Sequence, residues 1–302
     1  MKLARLASLL ALALPLWLTC AAMPATAGQA CGEKPATVEG SAKSARLSAQ
    51  VRELLDGQKH AFALVARAGV DLSEFGLHHS HVGVAWRDHP RGRWYTFHLL
   101  NRCGTDQSEL IEQSLEDFYN VELHDYEALI AAPSFPMQIR LQKAFFSPMA
   151  QTLHDREYNL IAHPFSTKYQ NSNQWVLEVI ASALAPVGYV GSRLSAQDWL
   201  KENGFVPSII PIGAGKRASA RLFSPHVRFS DHTDEEWEAQ RYAVVSVDSV
   251  IAFIRARTRA SPRPVCASKA RPPASSFSRP PDCRTPTSPR ESSSAWPGRP
   301  RC

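Results

Sequence analysis

Apolar residues recur at helical spacing from Ser41 to Leu55, where Leu47, Val51, Leu54 and Leu55 share one face. The pattern then turns to strand. Ala61 to Ala66, His79 to Trp86 and Arg93 to Leu100 are rich in strand formers, and the polar link Arg87 to Gly92, with Pro90 and Gly92, predicts a hairpin connection. Asp106-x-x-Glu109 has the form of a capping box, and Leu110, Ile111, Leu115, Phe118 and Tyr119 behind it predict a helix. Pro136 to Phe146 also reads as helix, and Tyr158 to Ala162 as a short strand closed by His163-Pro164. The strongest signal is Asn171 to Leu184, where Trp175, Val176, Val179, Ile180, Ala183 and Leu184 form one stripe. Ser195 to Asn203 and Asp248 to Arg255 predict further helices, while Phe205 to Ile210, Ala218 to Phe223 and Tyr242 to Val247 predict strands. This order implies a single α+β domain over residues 28–259.

Both ends stand outside that domain. Residues 1–27 carry Lys2 and Arg5, the apolar run Leu6 to Leu18, and Ala25-Thr26-Ala27 as a cleavage site, the three parts of a secretory signal peptide. The apolar run is too short for a hydrocarbon core that needs about 20 residues. Export to the periplasm or beyond, with a mature chain starting near Gly28, is therefore expected. Trp17-Leu18-Thr19 is a poor context for lipidation of Cys20. Trp175 to Val190 carries Glu178 and Pro186, so no integral membrane span is expected in the mature chain. Residues 260–302 hold ten of the 22 prolines, with Ser and Arg filling most of the rest, and read as a disordered tail. Their texture also matches GC-rich DNA translated in an unselected frame.

The charge changes the picture only in the tail. Residues 260–302 carry eight Lys and Arg against two Asp and Glu, which accounts for the net charge of +6. The remainder is balanced, so no nucleic-acid partner is expected. Cys31 and Cys103 are the only cysteines of the body, and in an oxidising compartment they predict one disulfide.

Candidate chemistry gathers in three segments: Ser80-His81-Val82-Gly83-Val84, Trp94-Tyr95-Thr96-Phe97-His98, and Tyr169-Gln170-Asn171-Ser172-Asn173-Gln174-Trp175. Each has a plain reading. Asn171 suits a helix N-cap with Gln174 reaching back, which makes Ser172 the first helical residue. Strand alternation puts His81 on the face of His79 and Gly83, where a buried histidine is common. The aromatics Trp94, Tyr95, Phe97, Tyr169 and Trp175 either floor a groove or fill a core. Alternation also turns His78 away from His79 and His81, leaving two ligands and no third, so no metal and no cofactor are expected. Gly213 to Arg217 imitates the end of a phosphate loop, but Ile210 and Arg217 stand where Gly and Ser or Thr are needed, and nucleotide binding is rejected. Asp231-His232-x-Asp234 reads as a polar turn.

With Ala63 to Gly76, Gln197 to Leu200 and Val245 to Val250, these segments resemble an exported bacterial family, domain of unknown function 2145, from about Cys31 to about Ile254. The resemblance implies no established activity. A looser one is to circularly permuted members of the NlpC-like, papain-related superfamily. There a strand bears Ser-His-Val-Gly, the next strand a polar residue, and an Asn-Cys pair opens a later helix. It implies a papain-like α+β domain with a central antiparallel sheet and packed helices. His81 falls on the base, His98 on the orienting residue and Ser172 on the nucleophilic cysteine, with Asn171, Asn173, Gln174, Trp175 and Tyr169 as ligand contacts. Serine has no thiolate-like form near neutrality, so the decisive position departs from the active pattern. Two functions follow as expectations: a domain without its thiol that binds a cell-envelope small molecule or peptide, or a serine-dependent hydrolase or acyl transferase acting on an amide or ester there. A purely structural envelope protein is the third.

Overall fold

The computed structural model describes residues 36–57, 61–224, 226–258 and 261–266. Its centre is an antiparallel sheet of β1 (Phe62–Ala68), β2 (His81–His89), β3 (Gly92–Asn101), β4 (Ser108–Ser114), β5 (Asp125–Ala132) and β8 (Ser261–Cys266), ordered β4-β3-β2-β1-β5-β8. A two-stranded ribbon pairs β6 (Ser208–Pro211) with β7 (Arg241–Val244). All seven residues of β1 are buried because helices cover both faces of the sheet.

On one face lie α1 (Val38–Gly57) and α2 (Leu115–Tyr119). Leu47, Val51, Leu55, Phe118 and Tyr119 pack there against Ala63, Val65 and Ala85. On the other lie α3 (Phe135–Phe145), α4 (Pro148–Thr152), α5 (Ser172–Leu184), α6 (Arg193–Glu202) and α9 (Val247–Thr258). The stripe Trp175, Val176, Val179 and Ile180 meets Leu64, Val82, Val84 and Phe97, as its spacing predicts. Two further helices, α7 (Ala214–Phe223) and α8 (Asp234–Ala239), flank the ribbon, whose small core holds Ile161, Ile210, Phe229 and Tyr242. Among the described residues no helix is long and apolar enough to cross a membrane.

Several expectations need correction. The segment from Asp106 to Glu112 is not helical: β4 pairs along β3 from Asn101↔Ser108 to Tyr95↔Ser114, and the helix starts only at Leu115, capped by Ser114, whose hydroxyl accepts from the Asp117 N–H. Sheet pairing with β3 outweighs the local capping signal. Ala218 to Phe223 belongs to α7 rather than to a strand. Tyr158 makes a single bridge to Gln170, not a strand. The six-residue link expected between β2 and β3 shrinks to Pro90-Arg91, since the strands pair as far as His89↔Gly92. The Pro-rich tail expected from residue 260 begins with a strand, as Ser261–Cys266 pairs with β5. Pro262 and Pro264 lie two apart, so both missing N–H groups point the same way on an edge strand, where proline is tolerated. The rest of the tail, the segment expected to be a signal peptide and Cys31 lie outside the described residues.

Candidate functional site

The chain closes a relay of three side chains. Ser172 is the first residue of α5, and its Oγ lies 3.2 Å from His81 Nδ1. The other ring nitrogen of His81, Nε2, lies 2.8 Å from His98 Nδ1. Ser172 is 8% exposed, His81 4% and His98 0%. The three expected residues are thus brought together beneath the surface rather than in an open cleft.

Strand geometry explains the meeting. His81 opens β2 opposite Arg67 of β1, and His98 lies one strand further on, in β3. Gly83 is needed between them: a Cβ there would come 2.6 Å from Thr96 Cγ2 and 3.3 Å from His98 Cβ. Phe118 of α2 covers the pair, its ring 5.2 Å from His98 and 5.8 Å from His81. The guanidinium of Arg67 lies 4.7 Å over the same ring and donates to the Phe118 carbonyl.

Burial first, then the Arg67 charge, then His98 hold the His81 imidazole well below its ordinary value. Burial and then Arg67 push His98 down to about 3, with Gln113 pulling weakly the other way. Both rings are therefore neutral at pH 7. Two tautomer assignments satisfy both contacts. In one, the Ser172 hydroxyl donates to His81 Nδ1 and His81 Nε2–H donates to His98 Nδ1; in the other the protons run in reverse. Only the first turns the Ser172 oxygen into an activated nucleophile.

The start of α5 is heavily fixed. Asn171 is its N-cap, accepting from the Gln174 N–H while Gln174 Oε1 accepts from the Asn171 N–H. Gln174 Nε2 donates to the His163 and Pro164 carbonyls. The fully buried Trp175 donates its indole N–H to the Ala150 carbonyl at 3.0 Å. One turn on, Glu178 is wholly buried and accepts from Arg193, Gln197 and Gln170. Burial raises its carboxyl above the usual range although Arg193 opposes this. Arg193 also donates to the Thr167 and Tyr169 carbonyls, which fixes the loop running into Asn171. The Ser172 and Asn173 N–H groups at the helix start have no hydrogen-bond partner among the described residues. Such a pair can receive an oxyanion.

The ligand contacts expected from sequence thus have partners within the fold. Asn171, Gln174 and Trp175 hold α5 in place, Asn173 bonds strand β2, and the Tyr169 hydroxyl lies 3.2 Å from Ser230 Oγ. The aromatic set does not floor one groove: Trp94 packs with α1 and α2, Phe97 and Trp175 on the opposite face, and Tyr95 stacks on His89. Trp94 also sits at φ 61, a left-handed conformation rare for so large a residue, with its indole N–H bonded to Asp56. Asp231 behaves as the polar turn expected, accepting from the Asn159 side chain and the His163 N–H. Sequence reasoning missed Arg67 and Phe118. A lone charge inside the otherwise apolar strand Ala63 to Ala68 was the signal available for the first.

The histidine expectation needs one more correction. Strand β2 starts at His81, so His78 and His79 precede it and period-two alternation does not apply to them. Their rings meet edge to face at 4.8 Å beside Glu127 of β5.

Fold and site together define an α+β protein with a histidine-backed serine at a helix N-terminus. The chain belongs to the family described as uncharacterized protein conserved in bacteria (DUF2145), whose model matches residues 54–254. That span contains Ser172, His81 and His98. No curated protein and no solved structure matches the chain.

Proposed function

We propose that this chain is an exported, serine-dependent hydrolase or acyl transferase acting on an amide or ester of the cell envelope, built on a papain-related fold. Ser172 is the nucleophile, His81 its general base and His98 the group that orients the base. One observation carries this reading: the continuous chain from Ser172 Oγ to His81 Nδ1 at 3.2 Å and from His81 Nε2 to His98 Nδ1 at 2.8 Å. In the reaction the Ser172 oxygen bonds to the acyl carbon and its proton passes to His81. The Ser172 and Asn173 N–H groups hold the oxyanion, and His81 returns the proton to the departing amine or alcohol. Water or a second nucleophile then releases the acyl group by the same steps in reverse.

A second reading has its own support. Burial and Arg67 both disfavour the imidazolium that His81 would become, and among the described residues no carboxylate is bonded to the pair. On that reading the site binds an uncharged envelope ligand, a peptide, glycan fragment or acyl chain, without turning it over.

A fluorophosphonate reagent and intact-mass spectrometry separate the two. A single adduct on Ser172, absent in Ser172→Ala and formed at least 10-fold more slowly in His81→Ala, is the expected result. A folded wild-type protein that takes up no adduct overturns the nucleophile and leaves the binding reading.

A further inference from the structure

We propose that His78, His79 and Glu127 form a binding site for a divalent transition-metal ion of the zinc class. The site is separate from the serine relay and does not depend on it. One nitrogen from each histidine and an oxygen of Glu127 all lie within 4.8 Å of one another. His78 Nε2 is 3.4 Å from Glu127 Oε2 and His79 Nε2 is 3.9 Å from Glu127 Oε1. Tetrahedral zinc with bonds of about 2.0–2.1 Å spaces its ligand atoms about 3.3 Å apart. The first pair already has that spacing, and the second, at 3.9 Å, is about 0.6 Å wider than it.

The second observation is the state of the nitrogens. His79 is only 6% exposed, and its Nε2 has no hydrogen-bond partner among the described residues. The same holds for the buried His78 Nε2. Buried ring nitrogens are rarely left so, because each costs its desolvation without return. Two imidazoles and one carboxylate are a borderline donor set that suits zinc better than calcium or magnesium. Asp125 Oδ2, 3.9 Å from His78 Nε2, stands where a fourth oxygen ligand would come from. Behind them the half-buried Asp248 carboxylate accepts from the His78 backbone N–H, which fixes the segment that runs into His81.

The test uses the wild-type protein without a histidine tag, stripped with a chelator and titrated with zinc chloride by calorimetry. One zinc per chain is expected, with a rise in melting temperature on addition of one equivalent. His79→Ala and Glu127→Gln should each weaken binding at least 10-fold. His124→Ala, an exposed histidine beside Asp71, should leave it unchanged. Wild-type binding no tighter than about 100 µM, or equal binding by wild type and both ligand variants, would overturn the site. If a variant fails to fold, the wild-type titration still decides.

Discussion

Asn173 Oδ1 accepts a hydrogen bond from the Val82 backbone N–H at 3.2 Å. The same amide donates through Nδ2 to the Ser80 carbonyl at 3.4 Å, so one side chain holds strand β2 on both sides of His81. Ser172 and His81 therefore meet because the residue after one is clamped to the residues flanking the other.

Removing that clamp should be costly. Asn173→Ala strands the buried Val82 N–H, and a loss of about 1–3 kcal/mol in urea unfolding is expected. Asn173→Asp retains the acceptor and loses only the donors, so it should recover part of that loss. Equal stability of wild type and Asn173→Ala would show that the clamp is idle.

The pH dependence of stability follows from His98. Its folded value is pushed down to about 3, below the unfolded value near 6.5, so the unfolded chain binds the extra proton between those limits. Stability from this group is complete above pH 6.5 and declines as pH falls, by about 2 kcal/mol at pH 5. The groups facing it, Arg67 and His81, are cationic or neutral and offer an incoming proton no compensation. His98→Gln should flatten the slope of unfolding free energy between pH 6.5 and 5. An unchanged slope would mean that His98 protonates freely in the folded protein.

The relay was legible because it rests on local chemistry. The cap Asn171, the Gln174 that reciprocates and the stripe from Trp175 onward mark the start of α5 without any tertiary knowledge, and Gly83 two residues after His81 signals close approach. What the sequence hid depends on partners far along the chain. Asp106 to Glu112 has a helical start signal, yet β3 recruits it as β4; Ser261–Cys266 has a disordered composition, yet the free edge of β5 accepts it. β5 itself was missed, as was the meeting of His78 with Glu127, which lies 49 positions on and joins it only through the sheet. Arg67 escaped notice because a charge inside an apolar strand has no local explanation.

The pairing of Ser261–Cys266 with β5 should show in a truncation. A chain ending at Arg259 loses the pairing of Ser261–Cys266 with β5 and the burial of Val265, and leaves the β5 edge unpaired. Its melting temperature should fall at least about 3 °C below that of a chain ending at Cys266. Identical melting of the two would show that the strand contributes nothing.

The cysteine count predicts a disulfide between Cys31 and Cys103. Closing so long a loop is worth about 4 kcal/mol on the chain-entropy view. Peptide mapping of protein purified under non-reducing conditions should recover one peptide pair containing both residues. Recovery of Cys103 joined to any other cysteine would remove the assignment.

Ser172→Cys tests the relay in a form that does not require knowledge of the substrate. A thiol placed at the first position of α5 has the two unpaired N–H groups of the helix start beside it, His81 Nδ1 within hydrogen-bond reach, and the Arg67 charge behind that ring. All favour the thiolate, so its pKa should fall below the ordinary value of about 8.5. At about pH 6.5, a small uncharged thiol reagent should modify this variant faster than the Ser172→Cys, His81→Ala double variant, because the second change removes the proton acceptor and leaves only the helix start. A pH profile of the labelling rate reads the pKa directly and separates activation from mere access, since a change in access scales the profile without moving its midpoint. Equal midpoints in the single and double variants would mean that His81 does not act on position 172, and the nucleophilic reading of Ser172 would fall with it.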